Sequence, residues 1–236
     1  MSKIISNNLK FIIVGKKDNY FKKIINFLKK NKIKFTYKYI DKSFKKITLL
    51  NFLKKKNYEY LISYRNPLIL DNKILNIAKK LNINFHPSPL RYRGVGGFNL
   101  AILNSDREFG VTAHLISKKI DDGLIIDLVK FKILKNINLD QLIFKTRKLQ
   151  YYQIIKLLNF LISKSLNLEL IKNRNKKKDY KWSKKIFYLK DLEKLYKIDI
   201  RKIKKINLRK IIRSTLTEKF KPEILVDNYR FVLKDD

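Results

Sequence analysis

The stretch LKFIIVGKKDNYFKKIINFLKKNKIKFTYKYI, residues 9 to 40, decides the fold. Its first seven residues are a short apolar run closed by Gly15, the pattern of a buried strand followed by a turn. Phe21, Ile24, Ile25, Phe27 and Leu28 then recur at helical spacing and give one apolar face. KFTYKYI alternates apolar and polar residues, as a second strand does. Strand, helix, strand in this order is one βαβ unit.

The same alternation continues outward. ITLLNFLKKKN reads as a helix, YEYLISY as a third strand, and DNKILNIAKKLN as a helix with Asp71 at its N-cap. INFHPSP opens as a fourth strand running into a loop. Beyond it come a helix near GGFNLAILN, strands at GVTAHLIS and LIIDLVKFKI, and a long amphipathic helix over about Leu139 to Leu161. KNRNKKKDY carries charge without apolar periodicity and reads as a loop or linker. After it, WSKKIFY precedes two helical stretches, about Leu189 to Lys197 and Lys202 to Ser214, and the alternating EILVDNYRFVL reads as a terminal hairpin. The class is therefore α/β, a mostly parallel sheet flanked by helices, with a small C-terminal α+β appendage. We divide the chain into a catalytic domain at 1–165, a basic linker at 166–180 and a C-terminal subdomain at 181–236.

Composition narrows the functions. With 236 residues and 45% hydrophobic content, the chain can bury a sizeable core. It has no cysteine, which excludes disulfides and thiolate metal sites. Two histidines without cysteines make a poor zinc site, so no metal is expected. No apolar run reaches the roughly 20 residues of a spanning helix, and the N-terminus lacks the pattern of a signal peptide. A cytoplasmic protein without membrane contact is the expectation. The net charge is +36, from 56 Lys and Arg against 20 Asp and Glu. Such a balance fits nucleic acid or an anionic surface. It fits better a genome whose codons favour Lys, Asn and Ile, because the lysines are spread along the whole chain and outnumber Arg. In either case anionic substrates are attracted.

Against that background the rare residues cluster. Five of the six glycines and both histidines lie between Asn84 and Gly123, and Pro67, Pro87 and Pro89 lie in or just before this region. Gly and Pro impose specific backbone shapes, and turn-rich loops at the carboxyl ends of parallel strands are where α/β sheets hold ligands. Asn84 and His86 are two apart, so on a strand they face the same side. His114 lies in the apolar strand pattern VTAHLIS. It reads first as a hydrogen-bonded core histidine and second as a neighbour of the cleft.

NFHPSPLRYRGVGGFNLAILNSDREFGVTAHLISKKIDDGLII resembles the catalytic core of the folate-dependent formyltransferases. The likeness rests on Asn84-x-His86-Pro87, the loop with Gly94, Gly96 and Gly97, and Asp121-x-Gly123, and covers roughly Tyr60 to Ile133. The loop HPSPLRYRGVGGFNLAI, and more faintly the Trp-bearing YKWSKKIFYLKDLEKL, resemble the short sugar N-formyltransferases more than the methionyl-tRNA and glycinamide ribonucleotide enzymes. The resemblance implies a Rossmann-like fold and N10-formyltetrahydrofolate as co-substrate. It implies Asn84, His86 and Asp121 as catalytic residues, with Arg65, Pro67, Leu68 and Leu70 on the folate side. The residue types suit formyl transfer, which needs an amide donor for an oxyanion, a histidine titrating near neutrality and a carboxylate to set its charge. Asp122 adjoins Asp121, and the Asp-x-Gly register selects Asp121. The implied acceptor is a primary amine on a nucleotide-linked amino sugar, and a homodimer is compatible with it. Initiator methionyl-tRNA is the alternative acceptor, and a nucleic-acid-binding protein on the same fold is the alternative outside catalysis.

Overall fold

The computed structural model describes residues 10–164, 166, 168–199, 201, 208–227 and 229–233. The helix expected from Lys202 lies partly outside these residues, as does Asn228 in the terminal hairpin.

Six strands form the main sheet in the order β2-β1-β3-β4-β6-β7. They are β1 (Lys10–Gly15), β2 (Lys34–Tyr39), β3 (Tyr60–Tyr64), β4 (Leu81–His86), β6 (Glu108–Leu115) and β7 (Ile125–Lys132). β1 pairs parallel with β2 and β3, and β3 with β4, whereas β6 runs antiparallel to both β4 and β7. The crossovers put helices on both faces, so β1 and β3 are almost wholly buried and read as continuous apolar runs.

One face is covered by α1 (Asn19–Lys30) and α5 (Leu139–Ser163), whose Phe21, Ile24, Leu28, Ile154, Leu158 and Leu161 pack with Phe11, Ile13, Ile62 and Ile83. The opposite face is covered by α2 (Lys46–Lys54) and the short α3 (Asn72–Leu75), with Leu49, Leu53 and Ile74 against Ile12, Val14 and Leu61. Asp18 and Asn138 cap α1 and α5, the latter in a reciprocal box with Gln141. A third cluster forms where α4 (Gly97–Leu103) meets β6, β7 and the start of α5.

Two elements differ from the sequence reading. The helix expected over DNKILNIAKKLN keeps only α3, because Leu81 and Asn82 are drawn into β4 beside Tyr60 and Leu61. The charged KNRNKKKDY is helical as far as Lys178, within α6 (Leu168–Lys178). Its anchors are polar: Asn175 exchanges hydrogen bonds with the backbone of Ile125, Arg174 donates to Ile126 O, and only Ile171 is buried. Apolar periodicity cannot signal a helix held in this way.

The tail folds back onto the loop that follows β4, where it forms a separate two-stranded sheet. β8 (Ile186–Phe187) pairs parallel with β5 (Arg93–Gly94). Beyond it, α7 (Leu189–Tyr196), β9 (Lys197–Asp199), α8 (Leu208–Thr215), β10 (Glu223–Val226) and β11 (Tyr229–Val232) form the α+β appendage. Its three strands lie in the order β11-β10-β9, with β10 and β11 antiparallel.

Candidate active site

The carboxyl ends of β3 and β4 open into a cleft of about 520 Å³, lined by all the catalytic and folate-side candidates, Arg65, Pro67, Leu68, Leu70, Asn84, His86 and Asp121, and by His114. It lies at the carboxyl end of the parallel strands, the side on which α/β sheets hold ligands.

Asn84 and His86 occupy one face of β4, and Asn84 stands directly opposite His114 in the antiparallel pair with β6. The β6–β7 register slips between Ala113 and His114, and such an irregularity turns a side chain out of the regular pleat. Asp121 comes from the β6–β7 connection, with a positive φ of 40° that Asp tolerates better than most residues. Gly123 lets that connection close, because a Cβ there would sit 1.7 Å from Leu115 O.

The three groups converge. Asp121 Oδ2 lies 3.3 Å from His86 Nδ1 and accepts from Gly94 N–H at 2.9 Å. Its Oδ1 lies 3.4 Å from both Asn84 Nδ2 and His114 Nε2. His86 Nε2 sits 2.7 Å from Tyr92 O, so that nitrogen carries a proton and Nδ1 is the one free to titrate. His114 Nδ1 likewise donates to Leu115 O at 2.8 Å, leaving Nε2 to accept from Asn84 Nδ2 at 3.1 Å. His114 is therefore a buried, hydrogen-bonded strand histidine that also touches the cleft's polar cluster. Asp122 points away and pairs with Arg93 at 3.0 Å.

Burial decides the charge state of His86. Desolvation pushes the imidazole below its ordinary value, outweighing the Asp121 carboxylate and the Tyr92 carbonyl, which favour the charged form. Burial alone would raise the Asp121 carboxyl. His86, His114 and the Gly94 N–H outweigh it and hold the group well below the usual carboxylate range. The result is a neutral base beside a carboxylate that stabilises it once protonated.

On the opposite wall, Leu70 is buried in the core beneath α2 and α3, and Leu68 packs partly against it. The Arg65 guanidinium is bound to Asp18, which also caps α1 and accepts from Tyr64 OH. Pro67 and Ile69 line the cleft between these residues. The sequence reading passed over Asn66, whose buried amide nitrogen has no hydrogen-bond partner among the described residues.

It also gave no site role to two residues that fix the site's shape. Trp182 donates from Nε1 to Gly123 O at 2.9 Å and sets its ring edge-on to His114 and His86, at 5.1 and 6.0 Å. Arg93 is buried and holds Ile120 O and Ser183 O, tying the Asp121 loop to the tail. The sole tryptophan of the chain was the one sequence signal for this arrangement. Phe187, Tyr188 and Leu189 then border the cleft from the tail side.

A family model described as formyl transferase matches residues 22–158, a span that includes Asn84, His86 and Asp121. A methionyl-tRNA formyltransferase of Mycoplasmopsis pulmonis is 35% identical over 75 residues, covering 31% of this chain and only 26% of that relative's length. The structure of a sugar N-formyltransferase from a Shewanella species superposes with a TM-score of 0.72 at 19% identity, over 96% of both chains. An N-formyltransferase from Helicobacter canadensis, in complex with folinic acid and dTDP-3-aminofucose, superposes with a TM-score of 0.69 at 23% identity, over 93% of this chain and 84% of that one. Both solved structures share the fold of the present chain. Since the family model spans more than half of its length, the chain belongs to the formyl transferase family.

Proposed function

We propose that this protein transfers a formyl group from N10-formyltetrahydrofolate to the primary amine of a nucleotide-linked amino sugar. The observation that carries the reading is the meeting of Asn84, His86 and Asp121 at the inner end of one cleft. Attack of an amine on a formyl carbon builds negative charge on the formyl oxygen and leaves a surplus proton on nitrogen. Asn84 Nδ2 is a buttressed donor for that oxygen, its long 3.4 Å contact with Asp121 being the one an oxyanion displaces. Neutral His86 takes the proton at Nδ1, and the adjacent Asp121 carboxylate stabilises the imidazolium. The wall of Pro67, Leu68 and Ile69 fits a flat ring system, and the unpartnered Asn66 amide offers it a donor.

The amino-sugar acceptor is supported by the extent of the structural likeness. The Shewanella sugar enzyme matches over nearly the whole chain, tail included. The tRNA acceptor is the second reading, favoured by the curated relative and the net charge of +36. The test is incubation with N10-formyltetrahydrofolate and a panel of amine acceptors, with mass spectrometry of each. A folate-dependent gain of one formyl group on an amino sugar supports the proposal. Absence of transfer to every amine in the panel refutes it.

A further inference from the structure

A second cavity, of about 730 Å³, lies between the C-terminal half of α4, the β7–α5 connection and α8. It shares no lining residue with the formyl-transfer cleft. α4 separates the two, with Gly97 and Phe98 on the cleft and Ala101 and Ile102 on this cavity.

Its chemistry is lopsided. Arg107, Lys135, Arg209 and Arg213 line it, against a single carboxylate, Asp106. That carboxylate is already taken by Arg91 at 2.9 Å and by Tyr92 OH at 2.5 Å. Arg213 spends one guanidinium nitrogen on Lys135 O, and its Nε is buried with no hydrogen-bond partner among the described residues. The floor is apolar, made by the buried Ala101, Ile102 and Ile137, and Leu134 at its edge is 70% exposed.

An excess of cations around a concavity is unfavourable unless an anion joins them. Guanidinium groups match phosphate oxygens through paired, charge-assisted hydrogen bonds. An apolar floor under a cationic rim suits a ligand with a flat apolar part and a phosphorylated end, and the volume is in the range of small-molecule sites. We propose that this cavity binds a nucleotide of the nucleoside diphosphate class, at a site separate from formyl transfer. The inference does not depend on which amine is formylated. The same chemistry could be offered by a free nucleotide or by a nucleotide within an RNA strand, and the experiment separates the two.

The test is isothermal titration of the full chain with ADP, and in parallel with a short single-stranded RNA. ADP should bind, and Arg209→Gln/Arg213→Gln should weaken it about a hundredfold, about tenfold for each charge-assisted phosphate contact removed. If Arg213→Gln lowers the melting temperature, exposed Lys135→Gln and Arg209→Gln carry the test, each expected to weaken ADP without affecting folding. Lys29→Gln/Lys30→Gln on α1 removes equal charge elsewhere and should leave ADP binding intact. Equal weakening by the α1 pair, unchanged affinity in the cavity variants, binding of the RNA but not ADP, or loss of ADP binding in His86→Ala would each overturn the proposal.

Discussion

Asp121 is met from three sides, by His86 Nδ1, Asn84 Nδ2 and Gly94 N–H, so replacing its charge tests the site more sharply than replacing its volume. Asp121→Asn should lower turnover by roughly 10²–10⁴-fold, as should His86→Ala, the range for losing a positioned acid–base group or its partner. Steady-state kinetics should show the loss in kcat with little change in folate KM, because the folate wall lies across the cleft. The pH dependence has a defined sign. Burial lowers the His86 pKa below the ordinary value of 6.5, so the base is neutral at pH 7 and kcat/KM should fall only on the acid side of that value. The folded chain also binds fewer protons at His86 than the unfolded chain does, so stability should decline as pH drops through the window below 6.5. Asp121 acts in the same direction lower down: its stabilisation is present above the ordinary carboxyl value of 3.8 and is lost as pH falls beneath it. Chemical denaturation across pH should show this acid decline, with the His86 component missing in His86→Ala.

Among the elements, the β6–β7 connection does most to place the site. Gly123→Ala would force a Cβ against Leu115 O, in the loop that carries Asp121. A clash with backbone cannot be relieved by a rotamer change, so a loss of about 1–3 kcal/mol in urea unfolding is expected. Trp182→Phe keeps a ring beside His86 and His114 but deletes the N–H bonded to Gly123 O. It should cost about 1 kcal/mol of stability and reduce kcat more than KM. Most of this framework was legible in the sequence. β1, α1 and β2 follow from the spacing of apolar residues alone, and the i, i+2 placement of Asn84 and His86 follows from strand geometry. α6 was not legible, because its contacts to β7 are made by Asn175 and Arg174 rather than by an apolar stripe. Nor was α3's brevity, since the competing β4 pairing with β3 lies outside any local pattern. The role of Trp182 depends on the tail folding back onto Arg93 and Gly94, a contact between segments about ninety residues apart.

For the whole molecule, the question is what the charge of +36 serves. If it reflects codon usage, binding to arbitrary nucleic acid should weaken steeply with salt as counterions are released. Transfer to a small nucleotide-sugar, which engages few phosphates, should vary much less over the same series. Phe187, Tyr188 and Leu189 of the tail line the cleft together with Gly94 and Gly96, where the proposed small acceptor would meet them. The measurement that tests the central claim most directly is formyl transfer from N10-formyltetrahydrofolate at physiological salt, comparing kcat/KM for a dTDP-linked amino sugar and for initiator methionyl-tRNA. The account predicts transfer to the amino sugar that His86→Ala lowers by roughly 10²–10⁴-fold, and no discrimination of initiator from elongator tRNA. Efficient and selective formylation of initiator methionyl-tRNA, with none on any amino sugar, would contradict it.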